Sequence, residues 1–163
     1  YEDNVVYIED CQFHRCRHAI ASNELGYYVA RHNIFDNPIP PNFGLIDVHG
    51  QSGDGQPGGR GLEAYNNTII GAEGYEASQA FWIRGGGGVI FNNKMQNILY
   101  GVGLFKDNTN STYWVKDLYI WDNSMDSGTL INNAGNYTEG IDYFLCKPDW
   151  YKPHPYPHPL TFE

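Results

Sequence analysis

A six-residue pattern recurs five times along the chain and constrains the fold more than any other feature. It consists of an apolar residue, any residue, a polar residue, Asn, any residue and a second apolar residue. The copies occupy residues 8–13, 30–35, 64–69, 90–95 and 120–125. The Asn position, which is Cys11 in the first copy, recurs at intervals of 22, 34, 26 and 30 residues. A repeat of this length with one fixed signature is typical of a solenoid.

The chemistry of Asn indicates which kind of solenoid to expect. Asn tolerates the left-handed backbone conformation of a sharp bend, so we expect residues such as Asn93 to make the turn between two short strands. Asn side chains at the same point of successive coils can also stack and hydrogen-bond as a ladder. The alternative is that each Asn marks only a hairpin turn. Five copies with matching apolar flanks favour the solenoid.

Further extended segments complete each repeat. One follows each copy, at residues 18–21, 46–49, 82–84, 102–105 and 128–131, and another leads into it, as at 27–29 and 118–120. Apolar residues with helical spacing are not sustained over three turns anywhere in the chain. The sequence therefore predicts an all-β fold, a right-handed parallel β-helix of about five coils with an Asn ladder.

The segments CRHAIASNELGYYVARHNIFDN, LIDVHG, LEAYNNTI and FWIRGGGGVIFNNKM resemble the right-handed β-helix repeat family of the pectate-lyase-like superfamily. The resemblance extends over roughly residues 5–126. It implies a secreted, carbohydrate-active protein located outside the cell or at its surface. It also implies that ligands bind on the outer face of the second strand after each Asn turn.

Composition narrows the classes of partner. The 163 residues fit one domain with a sizeable core, and the formal net charge is −9. The acidic balance argues against nucleic acid, and no apolar stretch approaches the roughly 20 residues that span a bilayer. The N-terminal residues have neither the basic nor the apolar region of a signal peptide, so we expect this peptide to be absent or already removed.

We expect residues 1–145 to form the β-helix and residues 146–163 to form an extended tail. The tail is rich in Pro and aromatic residues, which favours a polyproline II-like segment that caps the helix or runs along its outer wall. The alternative is a segment recognised by an aromatic-lined groove. The first repeat begins without a preceding capping helix, so we expect either the C-terminal part of a longer β-helix or self-association by end-to-end stacking.

The three cysteines, Cys11, Cys16 and Cys146, lack the spacing of a metal site. We expect three buried thiols, since Cys is among the most buried residue types. One disulfide with a free thiol is the alternative.

Side chains alternate between the two faces of a strand, and neighbouring coils stack about 4.8 Å apart. If Ile20, Val48, Ile83 and Leu104 point inward, one outer face carries a polar and aromatic group. Its expected members are Asp47, His49, Trp82, Arg84 and Phe105. Arg17 and His18 lie where the chain reaches this face, and Lys106 lies where the chain turns away from it. These three residues are further candidates for substrate binding.

This group has the components of a site for an acidic polysaccharide. Trp82 offers an apolar face for a sugar ring, and Arg84 can bind a uronate carboxylate through two hydrogen bonds. His49 is the candidate base for a lyase, with Asp47 as its partner or as a metal ligand. A hydrolase needs two carboxylates about 5–9 Å apart, and only Asp47 is well placed.

Two questions remain open from the sequence, namely whether the protein binds a metal ion and whether it is an enzyme or a structural module. Asp54 lies in the Gly-rich loop at residues 49–61 and suggests Ca²⁺, but one carboxylate assigns no metal site. The second functional hypothesis is a non-catalytic structural or adhesive surface or fibre module, because solenoid walls need polar residues for solubility alone.

Overall fold

The computed structural model describes residues 5–36, 38, 44–50, 56–72 and 77–159, without the side chains of residues 77 and 78. These residues form short strands joined by tight turns, and a 3-10 turn lies at Ser111–Tyr113. The strands are β1 Val6–Glu9, β2 Gln12–His14, β3 Ile20–Ser22, β4 Tyr27–Arg31, β5 Ile34–Asp36, β6 Ile46–Val48, β7 Gly61–Tyr65, β8 Thr68–Ile70, β9 Ala77–Ile83, β10 Gly86–Phe91, β11 Lys94–Gln96, β12 Ile98–Leu104, β13 Val115–Trp121, β14 Ser124–Met125, β15 Thr129–Asn132 and β16 Tyr143–Phe144.

The strands assemble into three parallel sheets, and each sheet contains every third strand in chain order. Sheet A has the order β1-β4-β7-β10-β13-β16, sheet B the order β14-β11-β8-β5-β2, and sheet C the order β15-β12-β9-β6-β3. All pairings between these strands are parallel. The predicted all-β class with parallel strands is therefore confirmed, and the architecture is compatible with a parallel β-helix.

The register brings equivalent residues of successive repeats into line and builds the core. In sheet A, Ala30 pairs with Ala64, Ala64 with Ile90, and Ile90 with Ile120. All four side chains are buried, as are the inward residues of sheet C, such as Val48 and Ile83. This apolar stacking between neighbouring repeats replaces the single large core of a globular domain.

The tight bend within each repeat lies one residue earlier than predicted. The left-handed residue is the one before each Asn-equivalent position: Asp10, His32, Asn66, Asn92 and Asp122, with φ between 51° and 57°. The prediction that Asn93 itself makes the bend is wrong. Asp, Asn and His are the non-glycine residues most enriched in this conformation, and the bend leaves the next side chain free to turn inward.

The Asn side chains that follow these bends are hydrogen-bonded to one another. Asn33 donates from Nδ2 to Oδ1 of Asn67 at 3.1 Å, Asn67 to Asn93 at 2.9 Å, and Asn93 to Asn123 at 2.9 Å. The Cys11 N–H donates to Oδ1 of Asn33 at 3.0 Å and so occupies the first position of this row. Polar groups inside the turns are thereby satisfied away from water.

The end of the chain runs across the outer face of sheet A. Tyr151 packs edge-on against Phe91 and Trp121, and its hydroxyl donates to Glu63 at 2.7 Å. Further along, the backbone N–H of His158 donates to Glu9 at 2.7 Å. Residues 150–158, which we call the strap, thus extend from β13 and β10 back to β1. Whether the chain divides at residue 145 stays a prediction.

Buried Arg31 is the main polar anchor of the strap. Its Nη1 donates to the carbonyl of His154 at 2.8 Å and its Nη2 to that of Pro155 at 2.7 Å. The same guanidinium forms an ion pair of 2.7 Å with Glu9 and a 2.8 Å hydrogen bond to the Tyr65 hydroxyl. Its hydrogen bonds to the strap are to carbonyls and hold the backbone, and its Cζ also lies 5.1 Å from the centre of the Tyr156 ring.

The expectation for the cysteines is wrong. Cys11 and Cys146 are exposed, Cys16 is partly exposed, and all three are free thiols. The Cys11 and Cys16 thiols lie near backbone carbonyls at turns, so none of the three fills the core. None of the helices among the described residues is long and apolar enough to cross a membrane.

Candidate functional site

The candidate site lies on the outer face of sheet C, where three neighbouring strands present their polar residues. Asp47 of β6 pairs with Trp82 of β9, which pairs with Gly103 of β12. The next position along each strand points inward. Arg84 and Phe105 follow one residue later, and each donates its N–H at 3.0 Å to a carbonyl of the neighbouring strand. The alternation expected from the sequence therefore brings these side chains to one face.

A buried ion pair forms the centre of the site. Arg84 donates from Nη2 to Asp47 Oδ2 at 2.5 Å and from Nε to Oδ1 at 3.2 Å. The remaining nitrogen, Nη1, donates to Asp107 at 2.9 Å. Asp47 is 0% exposed and Arg84 is 8% exposed. The pair is on the outer face of the sheet, yet neighbouring side chains shield it from water.

Two histidines approach the same oxygen of Asp47. His49 Nε2 is 3.4 Å from Oδ2 and His18 Nδ1 is 3.8 Å from it. Burial raises the pKa of Asp47, while Arg84, His49 and His18 act in the opposite direction. His49 is the more accessible of the two, with 38% of its side chain exposed. The group thus contains two partly exposed imidazoles beside a buried carboxyl group, and His49 is the closer of the two to Oδ2.

The aromatic residues surround the ion pair. The Trp82 ring centre is 4.2 Å from Cζ of Arg84, and the His18 ring lies nearly parallel to it at 6.1 Å. Phe105 meets Trp82 edge-on at 5.6 Å. Trp82 is in contact with protein on several sides, so its use as a sugar platform stays a prediction.

The two outlying candidates are placed differently. Lys106 is exposed, but its Nζ lies over the rings of Trp114 and Tyr137, at 4.4 and 4.8 Å from their centres. Arg17 is exposed at the turn before β3. Both are cations near the start or end of the site.

Asp107 is the member of the site that sequence reasoning missed. It lies just beyond β12, outside the alternating pattern, and its side chain is 35% exposed. One signal in the sequence could have identified Asp107. It is a carboxylate soon after one strand, when the neighbouring strand is followed by an outward-pointing Arg.

The described residues contain no group of three or more His, Cys, Asp or Glu side chains that could hold a metal ion. Asp54, the residue that suggested Ca²⁺, lies outside the described ranges.

The sequence matches no protein-family model, and comparison with curated proteins and with solved structures likewise finds no match.

Proposed function

We propose that the protein is an extracellular or cell-surface, carbohydrate-active β-helix protein with lyase-like action on an acidic polysaccharide. The observation that carries the proposal is the position of His49, which is partly exposed while its Nε2 lies 3.4 Å from buried Asp47. A base held by a second group in this manner is a recurring arrangement for proton transfer.

The finer description of the fold belongs to the same proposal. We infer a right-handed parallel β-helix of about five coils, with the row from Asn33 to Asn123 as its Asn ladder. The order of the three sheets and the hydrogen bonds between successive Asn side chains support it. This fold would present sheet C as a long, straight surface suited to an extended polymer.

In the proposed reaction, His49 removes the proton from the carbon next to the uronate carboxylate. The electron pair forms a carbon–carbon double bond as the bond from the neighbouring carbon to the glycosidic oxygen breaks. The departing oxygen takes a proton from the histidinium or from water, so the products are one unsaturated and one saturated chain end. Asp47 keeps His49 oriented while the proton is held.

Arg84 has two parts in this scheme. Its Nε and Nη2 stay with Asp47, and its Nη1 binds the substrate carboxylate after displacing partly exposed Asp107. The cation would stabilise the enolate-like charge on that carboxylate. Trp82, Phe105, Lys106, His18 and Arg17 would then line the path of the polymer.

The test is incubation of the full chain with a panel of acidic polysaccharides, with products followed by ultraviolet absorbance and by reducing ends. We expect unsaturated product, and we expect His49→Ala to slow its formation by about 10²–10⁴-fold. The matched control is His14→Ala, because His14 also pairs with a carboxylate, Asp36 at 2.8 Å, but lies on sheet B.

Other outcomes decide against the proposal. Reducing ends without unsaturation would identify a hydrolase. Absence of any product, with His49→Ala equal to the unchanged protein, would favour the structural or adhesive module. Sedimentation over a wide range of concentration would then show whether copies associate or stack.

A further inference from the structure

A second concave site lies on the outer face of sheet A, where the strap crosses the first residues of the strands. It is a cavity of about 420 Å³, within the roughly 300–1,000 Å³ of small-molecule sites. Gly86, Gly87 and Gly88 line it together with Trp150 and His154 of the strap. Because the strap supplies part of the wall, the cavity, which we call the strap groove, forms only when the strap is docked.

A buried carboxylate lies at the base of the strap groove. Glu63 accepts hydrogen bonds from the hydroxyls of Tyr27 at 3.3 Å and Tyr151 at 2.7 Å. The Nε2 of His154 is 3.2 Å from the same carboxylate. Burial raises the pKa of both tyrosines, and Glu63 raises it further, so the hydroxyls remain protonated donors at neutral pH. Three groups thus fix the position of a carboxylate that lines the cavity.

The charges that line the strap groove are balanced. Two cations, Arg60 and Lys116, face the cavity together with two carboxylates, Glu63 and Asp117. Arg60 is also positioned by the ring of Tyr27, whose centre is 5.1 Å from its Cζ. A groove with equal numbers of both signs gives no net attraction to a strongly anionic ligand. It does offer donors and acceptors to a ligand with many hydroxyl groups.

An exposed indole completes the strap groove. Trp150 is 65% exposed, which is costly for so large an apolar side chain. Tyr119 and Tyr151 meet it edge-on at 5.7 and 6.1 Å and so hold its orientation. A rigid aromatic face beside fixed polar groups suits a sugar ring, which has an apolar C–H face and a polar rim.

We propose that the strap groove binds a neutral saccharide, with Trp150 stacking on the ring and the charged residues at its rim binding the hydroxyls. The site is separate from the Asp47 group on sheet C and does not depend on the lyase-like reaction. The protein would then hold a neutral carbohydrate on one sheet independently of any chemistry on another.

The test is binding, measured by calorimetry and tryptophan fluorescence on the full chain. The probes are neutral di- and trisaccharides of glucose, galactose, mannose or xylose, and the matching oligomers of glucuronate and galacturonate. We expect at least one neutral oligosaccharide to bind, and Trp150→Ala to weaken its binding by at least about tenfold. Lys116→Gln should weaken it as well.

The control is Leu145→Ala, another exposed apolar side chain near the C-terminus that lies outside the lining of the strap groove. It should leave binding unchanged, and circular dichroism should show that every variant keeps its β structure. The proposal is overturned if no neutral probe binds. It is equally overturned if Trp150→Ala binds as the unchanged protein does, or if the acidic oligomers bind more tightly.

Discussion

Replacement of Asn67 by Ala tests whether the hydrogen bonds inside the turns stabilise the fold. With the described residues, its side chain makes four hydrogen bonds. Oδ1 accepts from the N–H and Nδ2 of Asn33, and Nδ2 donates to the carbonyl of Ala30 and to Oδ1 of Asn93. Asn67 is 1% exposed, so water cannot replace these partners without opening the turn. At about 1 kcal/mol for each bond, we expect a loss of about 3–5 kcal/mol in the free energy of unfolding.

The assay is urea denaturation followed by circular dichroism and tryptophan fluorescence. The matched control is Asn92→Gly, which keeps the left-handed bend at φ 51° and removes one exposed hydrogen bond, to Asn66. We expect the control to change stability by less than about 1 kcal/mol. If Asn67→Ala is as stable as the control, the hydrogen-bonded row contributes little and the reasoning is wrong.

Three further substitutions have predicted effects on stability, measured by urea denaturation and, for the third, also at alkaline pH. Cys11→Asn should raise stability by about 0.5–1 kcal/mol, since its new Nδ2 can donate to Oδ1 of Asn33. Gly61→Ala should lower stability by about 1–3 kcal/mol, because an added Cβ would overlap the backbone of Gly87 and φ is +152°. Tyr151→Phe should lower stability by about 1.5–3 kcal/mol at neutral pH, because Glu63 loses a donor.

The Tyr151 change also has a pH dependence of known sign. Its pKa is raised in the folded protein, so its contribution is fully present below the unfolded pKa of about 10 and declines above it. The gap between Tyr151→Phe and the unchanged protein should therefore narrow by about 1.4 kcal/mol for each pH unit above about 10. A constant gap would contradict the raised pKa. Cys11→Asn would contradict the geometry if it were no more stable than the unchanged protein. Gly61→Ala would contradict it if its loss of stability were no larger than that of Gly140→Asn.

The repeat pattern predicted the sheets because it reports on packing between neighbouring coils. Apolar positions such as Ile90 and Met95 recur wherever a strand packs on the equivalent strand of the preceding repeat. Their spacing therefore locates the strands even when the exact position of the turns is unknown. The bends were placed one residue late. Both Asn92 and Asn93 can adopt the left-handed conformation, and only three-dimensional packing decides which of the two side chains turns inward.

The sequence predicted that Asp47, Trp82, Arg84 and Phe105 share one outer face, but it did not predict how far the charged pair is buried. Alternation along β6 and β9 correctly put Asp47 and Arg84 on the same side of sheet C. It could not show that Trp82 and His18 would cover them, since those contacts depend on side-chain direction across strands. Asp107 was missed because it comes after the strand, where alternation no longer applies.

The strap contacts were beyond the reach of the sequence for another reason. Arg31 lies in a strand more than 120 residues from the carbonyls of His154 and Pro155, which it binds. Pairings of such separation follow from topology and leave no local pattern. The composition of the tail indicated an extended segment along a wall or at a cap. It did not indicate that Arg31 and Glu63 would be its partners.

The buried carboxylates Asp47 and Glu63 differ in the parts of the chain that hold them. Asp47 is held by the charged Arg84 of a neighbouring strand, and removal of one partner from such a pair leaves an uncompensated buried charge. Glu63 is held partly by Tyr151 and His154 of the strap. If the strap were released, Glu63 would lose these two partners and become exposed to water. Opening the strap should therefore abolish the strap groove while the group around Asp47 keeps its geometry. One perturbation can therefore separate the two sites, because the polar partners that the strap supplies to Arg31, Glu63 and Glu9 belong to sheet A.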